Sequence, residues 1–513
     1  MKPMNPSIPT ANAPIDPFAL NPQCWTQAKD GSVRTAARAD ELSGPDTPLC
    51  PQALFDYLFF HCIPSPRTAF VGVHRVPAAH LLTTVAGEVR VEPNWAPCFE
   101  PARRRVSFDA LKIEFLALVK RAVAHGLDGT EPACFLSGGT DSSTIAGMVR
   151  EVTGSGAQAF SIGFEAEGYD EMVYARVAAK RFGCKHHEYY VTPDDLVKSI
   201  PAVAASFDQP FGNSSVLPSY YCAAQAKQTG VSHLLAGDGG DELYGGNARY
   251  AKQRVFSMYG QLPRTLRQGL LEPFFGLGWV SRTPLLKKGS SYIEQARVPM
   301  PDRLQMYNLL LRLGVQDVLE PGFLTQINVD APSLHQRQVW QWAGSGVAAG
   351  QVSELNRTLA YDWRYTLGES DLPKVRGAAE LAGVTVAYPM LDQALLDFSL
   401  RLPDHYKLNG MKLRWFFKEA LRGFLPDEII NKPKHGFGLP FGPWMMKHAA
   451  LKALATDSLQ SLGKRGMVRP EFIRDLLQHR LPQHPGYYGE MVWILMMLEQ
   501  WLRVHRPQAS FAR

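Results

Sequence analysis

Two glycine-containing acidic turns carry the side chains best suited to chemistry. The first reads Ser137-Gly138-Gly139-Thr140-Asp141-Ser142-Ser143 and lies between an apolar run and a helical pattern. At such a turn the start of a helix offers unpaired backbone N–H groups to an anion, and glycine lets the backbone approach a phosphate closely. The Walker A lysine is missing, and Asp141 stands in the loop instead. The pattern predicts a phosphate site with Mg²⁺ on a carboxylate, although a simple connecting turn is the alternative.

The second acidic turn follows another apolar run and reads Gly237-Asp238-Gly239-Gly240-Asp241-Glu242-Leu243-Tyr244-Gly245-Gly246. Ligands of open α/β sheets lie at the carboxyl ends of the strands, so both turns can converge on one ligand. Asp141 and Asp241 would then hold Mg²⁺ and pyrophosphate between them. A tight turn with solvated acids is the alternative, but so many glycines cost chain entropy unless a ligand requires them.

A remote basic segment, 432–440, reads KPKHGFGLP. A lysine in a glycine-bounded loop can reach the α-phosphate and offset the negative charge that develops in the transition state. Taken alone, the segment fits an exposed basic loop better, and only the family pattern given below favours a catalytic lysine.

Strands alternate with helices around the two acidic turns. The apolar runs at 133–136 and 157–164 flank a helical spacing that ends at Gly154, which is a βαβ unit, and the alternation continues to residue 236. This order predicts an α/β fold whose parallel twisted sheet has helices on both faces. Beyond residue 250 the chain is predicted to be mostly helical, with loops at 284–291 and 344–350.

The chain is too long for one compact core, since it has 513 residues. We predict a poorly ordered segment at 1–50, a small β/α segment at 51–100, the nucleotide-binding domain at 101–450 and a helical C-terminal extension at 451–513. Helical spacing favours core positions for Trp493 and Trp501 in that extension.

Composition excludes several functional classes. The net charge of +6 is small for this length and is not the footprint of a nucleic-acid-binding protein. The seven cysteines form no CxxC pair, which argues against a metal knuckle or a disulfide framework. No apolar stretch resembles a secretory signal or a membrane span. We therefore expect a cytoplasmic protein with no nucleic-acid or membrane partner.

In order and spacing, the three segments resemble the synthetase domain of the asparagine synthetase B family, one of the pyrophosphatase-loop adenylating enzymes. The resemblance covers roughly residues 100 to 450. SGGTDSS is similar to the family's SGG-x-DSS, AGDGGDELYGG to its SGDGGDE-x-x-GG with Ala236 in place of Ser, and KPKHGFGLP to its RPKQGFG-x-P. Shorter similarities lie at 161–164, 169–171, 208–211 and 388–392.

The resemblance implies an adenine nucleotide α-hydrolase-like fold and an amide-forming ligase that uses ATP and Mg²⁺. A small-molecule or peptide carboxylate would become an acyl adenylate, and ammonia or an amine would displace AMP. Lys434, Asp141 and Asp241 would be catalytic, and the two aspartates would hold Mg²⁺. The implied nucleotide site comprises Leu136, Ser137, Gly138, Gly139, Asp141, Ser142, Ser143, Ile162, Ala236, Gly237 and Asp238.

Two departures from the family pattern bear on the substrates. Lys2 stands where full-length members have the nucleophilic cysteine of a glutaminase domain, and 51–100 resembles only the closing segment of that domain. We expect no glutamine hydrolysis by this chain, and ammonia or the amine could come from a separate glutaminase. Thr385 and Ala387 replace the family's Glu and Arg, which makes aspartate a doubtful substrate unless Glu369 or Glu380 substitutes.

Three functions follow as alternatives. The first is an asparagine-synthetase-like ligase supplied with ammonia, which would serve asparagine biosynthesis. The second is a divergent ligase of the same fold that joins another acid to an amine in a biosynthetic pathway, as lasso-peptide cyclases and β-lactam synthetases do. The third is a nucleotide-binding partner protein without catalysis, which intact Asp141, Asp241 and Lys434 argue against.

Overall fold

A computed structural model of the chain describes residues 14–85, 87–100, 107–277, 283–347, 350–433 and 438–511. Its strands are β1 (Cys24–Gln27), β2 (Val33–Ala36), β3 (Val73–Arg75), β4 (His80–Val85), β5 (Glu88–Pro93), β6 (Ala133–Phe135), β7 (Gln158–Phe164), β8 (Lys185–Val191), β9 (His233–Leu235), β10 (Thr385–Ala387), β11 (Leu408–Asn409) and β12 (Lys412–Leu413).

The longer helices are α1 (Pro51–Phe60), α2 (Phe108–Gly126), α3 (Thr140–Thr153), α4 (Met172–Phe182), α5 (Pro193–Ser206), α6 (Val216–Gln228), α7 (Ala248–Gly260), α8 (Pro284–Arg297), α9 (Ala331–Trp342), α10 (Glu354–Asp362), α11 (Leu372–Ala382), α12 (Gln393–Arg401), α13 (Ala449–Gly463) and α14 (Pro485–His505). Shorter or irregular helical segments are Asp40–Leu42, Gly240–Tyr244, Arg264–Leu266, Arg267–Leu271, Glu272–Phe275, Asp302–Gln305, Leu309–Leu313, Val315–Val318, Pro321–Leu324, Trp363–Asp371, Pro389–Leu391, Asp404–Lys407, Trp415–Ala420, Asp427–Ile430, Phe441–Lys447, Pro470–Asp475, Leu476–Arg480 and Leu481–Gln483.

The central sheet is parallel and has the strand order β10-β9-β6-β7-β8. Its longest central strand, β7, is buried along most of its length, as expected where helices cover both faces. On that strand Ala159 packs with α2, α3 and α4, whereas Phe160 packs with α6 and α11 on the other face. The predicted α/β fold and its βαβ units are therefore confirmed.

The strand order places a topological switch point between β6 and β9. From β6 the chain continues outwards to β7 and β8, and it then returns to build β9 and β10 on the other side. Cys134 of β6 pairs directly with Leu235 of β9, so the loops after these two strands begin side by side. This is the place where open α/β sheets bind their ligands.

The N-terminal region is more ordered than the sequence suggested. Among the described residues of 1–50, β1 and β2 form an antiparallel sheet with β3. This sheet packs on the main body: Ala39 donates its backbone N–H to Asp208, and Arg75 pairs with the same carboxylate. The prediction of a poorly ordered 1–50 is wrong for residues 14–50, because long-range contacts, and not a local pattern, hold them, and residues 1–13 lie outside the described residues.

Two further expectations concern the helical half of the chain. The loop predicted at 284–291 is instead the start of α8, where Pro284 occupies the first helical turn, a position that tolerates proline. The helical C-terminus is part of the core, and there Trp493 and Trp501 donate their indole N–H groups to the carbonyls of Gly212 and Phe207. None of the helices in the described ranges is both long and apolar enough to cross a bilayer.

Candidate active site

The two predicted acidic turns lie against each other at the switch point. A Cβ atom added to Gly237 would lie 2.7 Å from the backbone nitrogen of Ser142, and one added to Gly240 would collide with the carboxylate of Asp141. A side chain at Gly237 would push the backbones of the two turns apart, and one at Gly240 would displace the carboxylate of Asp141. The expected convergence of the two turns is a feature of the fold.

Polar groups of the first turn face the start of α3. The backbone N–H of Ser137 donates to the hydroxyl of Ser142 at 3.1 Å, and the two hydroxyl groups lie 3.0 Å apart. The helix begins at Thr140 and ends at Gly154, whose φ of 78° is the left-handed conformation expected of a helix-ending glycine. The turn is thus a rigid strand–loop–helix with its helix N-terminus at the cleft, which suits an anion.

A buried arginine joins the two turns. Arg414 follows the β11–β12 hairpin in a left-handed conformation with φ of 52°. Its guanidinium donates to the carboxylates of Asp141 and Asp241, with 2.7 Å to Asp241, and also to the hydroxyl of Thr140 at 3.0 Å. Burial disfavours the cation, but the two carboxylates more than offset this and raise the pKa of Arg414. One cation thus contacts both aspartates.

A second set of charged groups lines the same cleft. Lys374 forms an ion pair with Asp371 at 2.8 Å. Asp238 lies nearby, and desolvation raises the pKa of its carboxyl group to about 6, although Lys374 partly opposes the shift. The cleft therefore has one end with Asp141, Asp241 and Arg414, and another in which Lys374 is accompanied by the two carboxyl groups of Asp371 and Asp238.

These groups line one cavity of about 490 Å³. Eight of the eleven residues predicted for the nucleotide site border it: Leu136, Ser137, Gly139, Asp141, Ser142, Ile162, Gly237 and Asp238. Asp241 borders it as well, and so does Lys432, whose ammonium group pairs with Glu171 at 2.9 Å. Lys434 lies outside the described residues.

Three predicted nucleotide contacts do not border the cavity. Gly138 packs against α4, where a Cβ atom would lie 2.5 Å from the backbone of Tyr174, so close packing explains this glycine better than phosphate binding does. Ser143 and Ala236 are buried behind the two turns. Ser143 belongs to the first turn of α3, and its backbone N–H is already bonded to Gly139. The described cavity wall does not include these three residues, and their part in nucleotide binding stays a prediction.

The cavity lacks the residues that were offered as substitutes for the family's glutamate. Glu369 accepts a hydrogen bond from the backbone N–H of Ser65 at 3.0 Å and pairs with Arg75, and Glu380 faces Arg376 at 3.9 Å. Thr385 is exposed at the edge of the sheet. None of them is a lining residue, whereas the acids Glu171, Asp238, Glu242 and Asp371 are.

The carboxylates of Asp141 and Asp241 at the first end of the cavity suit a magnesium ion that is also bound by substrate phosphates. Within the described ranges, no group of three or more His, Cys, Asp or Glu side chains is arranged to hold a metal ion. The carboxylates of Asp141 and Asp241 both contact Arg414, so they lie close enough to bind one cation. Two protein carboxylates are enough for Mg²⁺, because this ion usually keeps several waters and takes its remaining ligands from phosphates. Asp141 and Asp241 would hold it if Arg414 moved aside.

Comparison with known proteins agrees with this geometry. The family model described as asparagine synthase matches residues 114–503. The chain belongs to the asparagine synthase family. Membership supports, at a general level, an ATP-dependent ligase that forms an amide, and the parallel sheet is the one expected of this family.

Similar proteins carry the corresponding names. The chain is 23% identical over 490 residues to the glutamine-hydrolyzing asparagine synthetase 1 of Bacillus subtilis strain 168, covering 95% of this chain and 74% of that protein. It is 26% identical over 507 residues to a putative glutamine-hydrolyzing asparagine synthetase of Mycobacterium tuberculosis strain H37Rv, covering 95% and 73%. It is also 22% identical over 444 residues to the amidase chyE of Penicillium rubens, covering 77% and 63%.

Sequence reasoning missed Arg414, Lys374 and Asp371. None of them lies in a glycine-rich island, and Arg414 is separated from Asp241 by 173 positions and from Asp141 by 273. The hairpin before Arg414 was too short to be recognised. No sequence pattern around Arg414 predicted that this arginine would be buried against two carboxylates.

Proposed function

We propose that this chain activates a carboxylate by adenylation and then joins the acyl group to a nitrogen nucleophile, with release of AMP and pyrophosphate. The observation that carries this proposal is the meeting of the two acidic turns around Arg414 at the switch point of the sheet. Carboxylates beside a helix N-terminus are of little use for binding a bare phosphate. They are useful where a metal ion accompanies the phosphates.

The end of the cavity with Asp141 and Asp241 would take the triphosphate. The N-terminus of α3 and the hydroxyl of Ser137 would orient the α-phosphate. Mg²⁺, when bound, would neutralise the pyrophosphate leaving group. Arg414 and Lys432 would balance the remaining negative charge, and Lys434 is proposed to stabilise the transition state at the α-phosphorus, as in the family pattern.

The end with Lys374 would take the acid. Its ammonium group borders the cavity and pairs with Asp371 at 2.8 Å, and a substrate carboxylate could replace Asp371 as its partner. The carboxylate would then lie beside the α-phosphate that it must attack. The acid is therefore proposed to bind between Lys374 and the nucleotide, with Asp238 nearby.

The acid is proposed to differ from aspartate. The family's glutamate is replaced by Thr385, which is exposed, and Glu369 and Glu380 are both engaged elsewhere. This observation favours the divergent ligase over a strict asparagine synthetase. The nitrogen is proposed to come from ammonia or an amine and not from glutamine hydrolysed by this chain.

Exchange of labelled pyrophosphate into ATP tests the proposal, because exchange requires reversible adenylation and no nucleophile. The protein is incubated with Mg-ATP and a panel of carboxylates that includes aspartate, other amino acids and small dicarboxylates. Exchange with one acid other than aspartate is the expected result, and exchange with aspartate would instead favour asparagine synthesis. If no acid supported exchange although ATP bound, the protein would be a nucleotide-binding partner and not a ligase.

A further inference from the structure

A second cavity of about 440 Å³ lies beside the candidate active site. Its wall combines distant parts of the chain: Phe60 and His61 from the end of α1, Asn213, Phe441, and Glu490 and Trp493 from α14. A cavity of this size can enclose an organic molecule of many atoms, whereas ammonia needs only about the space of one water molecule.

A thin wall separates this cavity from the active site. Asn213 and Ser370 line the second cavity, whereas their neighbours Ser215 and Asp371 line the first. The side-chain amide of Asn213 donates to the hydroxyl of Ser370 at 3.1 Å and to the carboxylate of Asp371 at 3.4 Å. Asp371 in turn holds Lys374. A ligand that displaced the Asn213 amide would reach the acid-binding end of the active site.

The charge and shape of the wall select a cation with an apolar body. Glu490 is the acidic side chain among the described lining residues, and its carboxylate lies 3.5 Å from Nδ1 of His61, whose pKa is lowered by burial although Glu490 partly opposes the shift. Trp493 and Phe441 stack edge to face with centroids 5.2 Å apart, and both are buried. Such aromatic walls bind apolar groups and attract an ammonium group.

We propose that this cavity binds the nitrogen nucleophile and that the nucleophile is an organic primary amine with an apolar or aromatic body. This inference rests on the proposed function. The ammonium form would be attracted by Glu490 and would lose one proton to solvent. The neutral nitrogen would then extend past Asn213 towards the acyl adenylate.

In the coupling step the amine replaces AMP at the acyl carbon. The lone pair of the amine nitrogen forms a bond to the acyl carbon. The bond between that carbon and the AMP oxygen breaks, and AMP leaves with the electron pair. The nitrogen releases one proton to a carboxylate at the wall, Asp371, which gives a secondary amide. No oxidant or reductant is needed.

Titration calorimetry of the full chain with 2-phenylethylamine tests the inference, with 2-phenylethanol as a probe of similar body and no charge. The amine is expected to bind and the alcohol to bind at least tenfold more weakly, a difference of about 1.4 kcal/mol. Glu490→Gln should weaken amine binding about fivefold, the upper range for a partly exposed charge. Glu471→Gln is the matched control, because Glu471 is exposed, borders none of the described cavities and should leave binding unchanged.

A second variant tests the volume of the cavity without removing a charge. Gly486 borders the cavity, and a Cβ atom there would have only His484 near it, at 4.0 Å, so Gly486→Leu should fold and fill space. It should reduce amine affinity by roughly tenfold. Equal binding of the two probes, or identical affinities of Glu490→Gln and Glu471→Gln, would overturn the inference. Since this titration needs no acid substrate, a failed pyrophosphate exchange would count against the proposed function separately.

Discussion

Replacing Arg414 by alanine should destabilise the metal-free protein, and Mg²⁺ should restore the loss. The guanidinium is only 6% exposed, and its partners Asp141 and Asp241 are 22% and 25% exposed. Breaking a fully enclosed charge network costs about 3–5 kcal/mol, and the partial exposure of these carboxylates reduces this to about 2–3 kcal/mol. For a folded unit of several hundred residues, this lowers Tm by roughly 2–4 °C.

Differential scanning fluorimetry with and without MgCl₂ measures both effects. Mg²⁺ should raise the Tm of Arg414→Ala by more than that of the natural protein, because the ion can take the place that the guanidinium held. Arg337→Ala is the matched control: Arg337 pairs with Asp302 but is 53% exposed, so its loss should cost less than about 1 kcal/mol and leave the Mg²⁺ response equal to that of the natural protein. An unchanged Tm for Arg414→Ala would refute the reasoning. The same Mg²⁺ response in Arg414→Ala and in the natural protein would also refute it.

Three more outcomes are expected. Lys434→Ala should slow pyrophosphate exchange by about 10²–10³-fold. Replacing Lys452, an exposed lysine of α13, by alanine should leave the exchange rate unchanged. Equal rates for the two variants would remove Lys434 from the mechanism. Burial raises the pKa of Asp238 to about 6, so the contribution of this group to the stability of the folded protein falls as pH rises from about 4 to 6. Asp238→Asn should therefore have a higher Tm than the natural protein at pH 7.5, and this difference should shrink towards pH 4.5. A difference in Tm that did not change with pH would contradict this. Glutamine should not support amide formation where ammonium or an amine does, and stoichiometric glutamate release would argue otherwise.

The site was predictable where chemistry and backbone geometry share one short segment. Gly237 lets the backbones of the two turns lie against each other, so this glycine, which indicated a ligand in the sequence, also permits their close approach. Gly138 shows the limit of this reasoning. It lies in the same motif, but its close contact is with Tyr174 of α4, and no local pattern distinguishes packing against a helix from packing against a phosphate.

The remainder depends on contacts between residues far apart in sequence. Arg414 joins the site because a two-strand hairpin holds it in a left-handed conformation, which is unusual for arginine and invisible in composition. Glu369 was a candidate for the missing glutamate in the sequence. In the structure its carboxylate is bound by Ser65 and Arg75, which belong to the N-terminal region. The sheet of β1, β2 and β3 was missed for the same reason, because strands of three or four residues have little periodicity of their own.

A crystal structure of the protein with Mg²⁺ and α,β-methylene-ATP tests the central claim most directly, which is that both acidic turns serve one nucleotide. The account predicts the phosphates between the start of α3 and the turn at 237–246, with the metal ion bound by Asp141 and Asp241 and with Arg414 displaced towards the phosphates. A nucleotide bound in another cavity, or phosphates in contact with only one of the two turns, would contradict it.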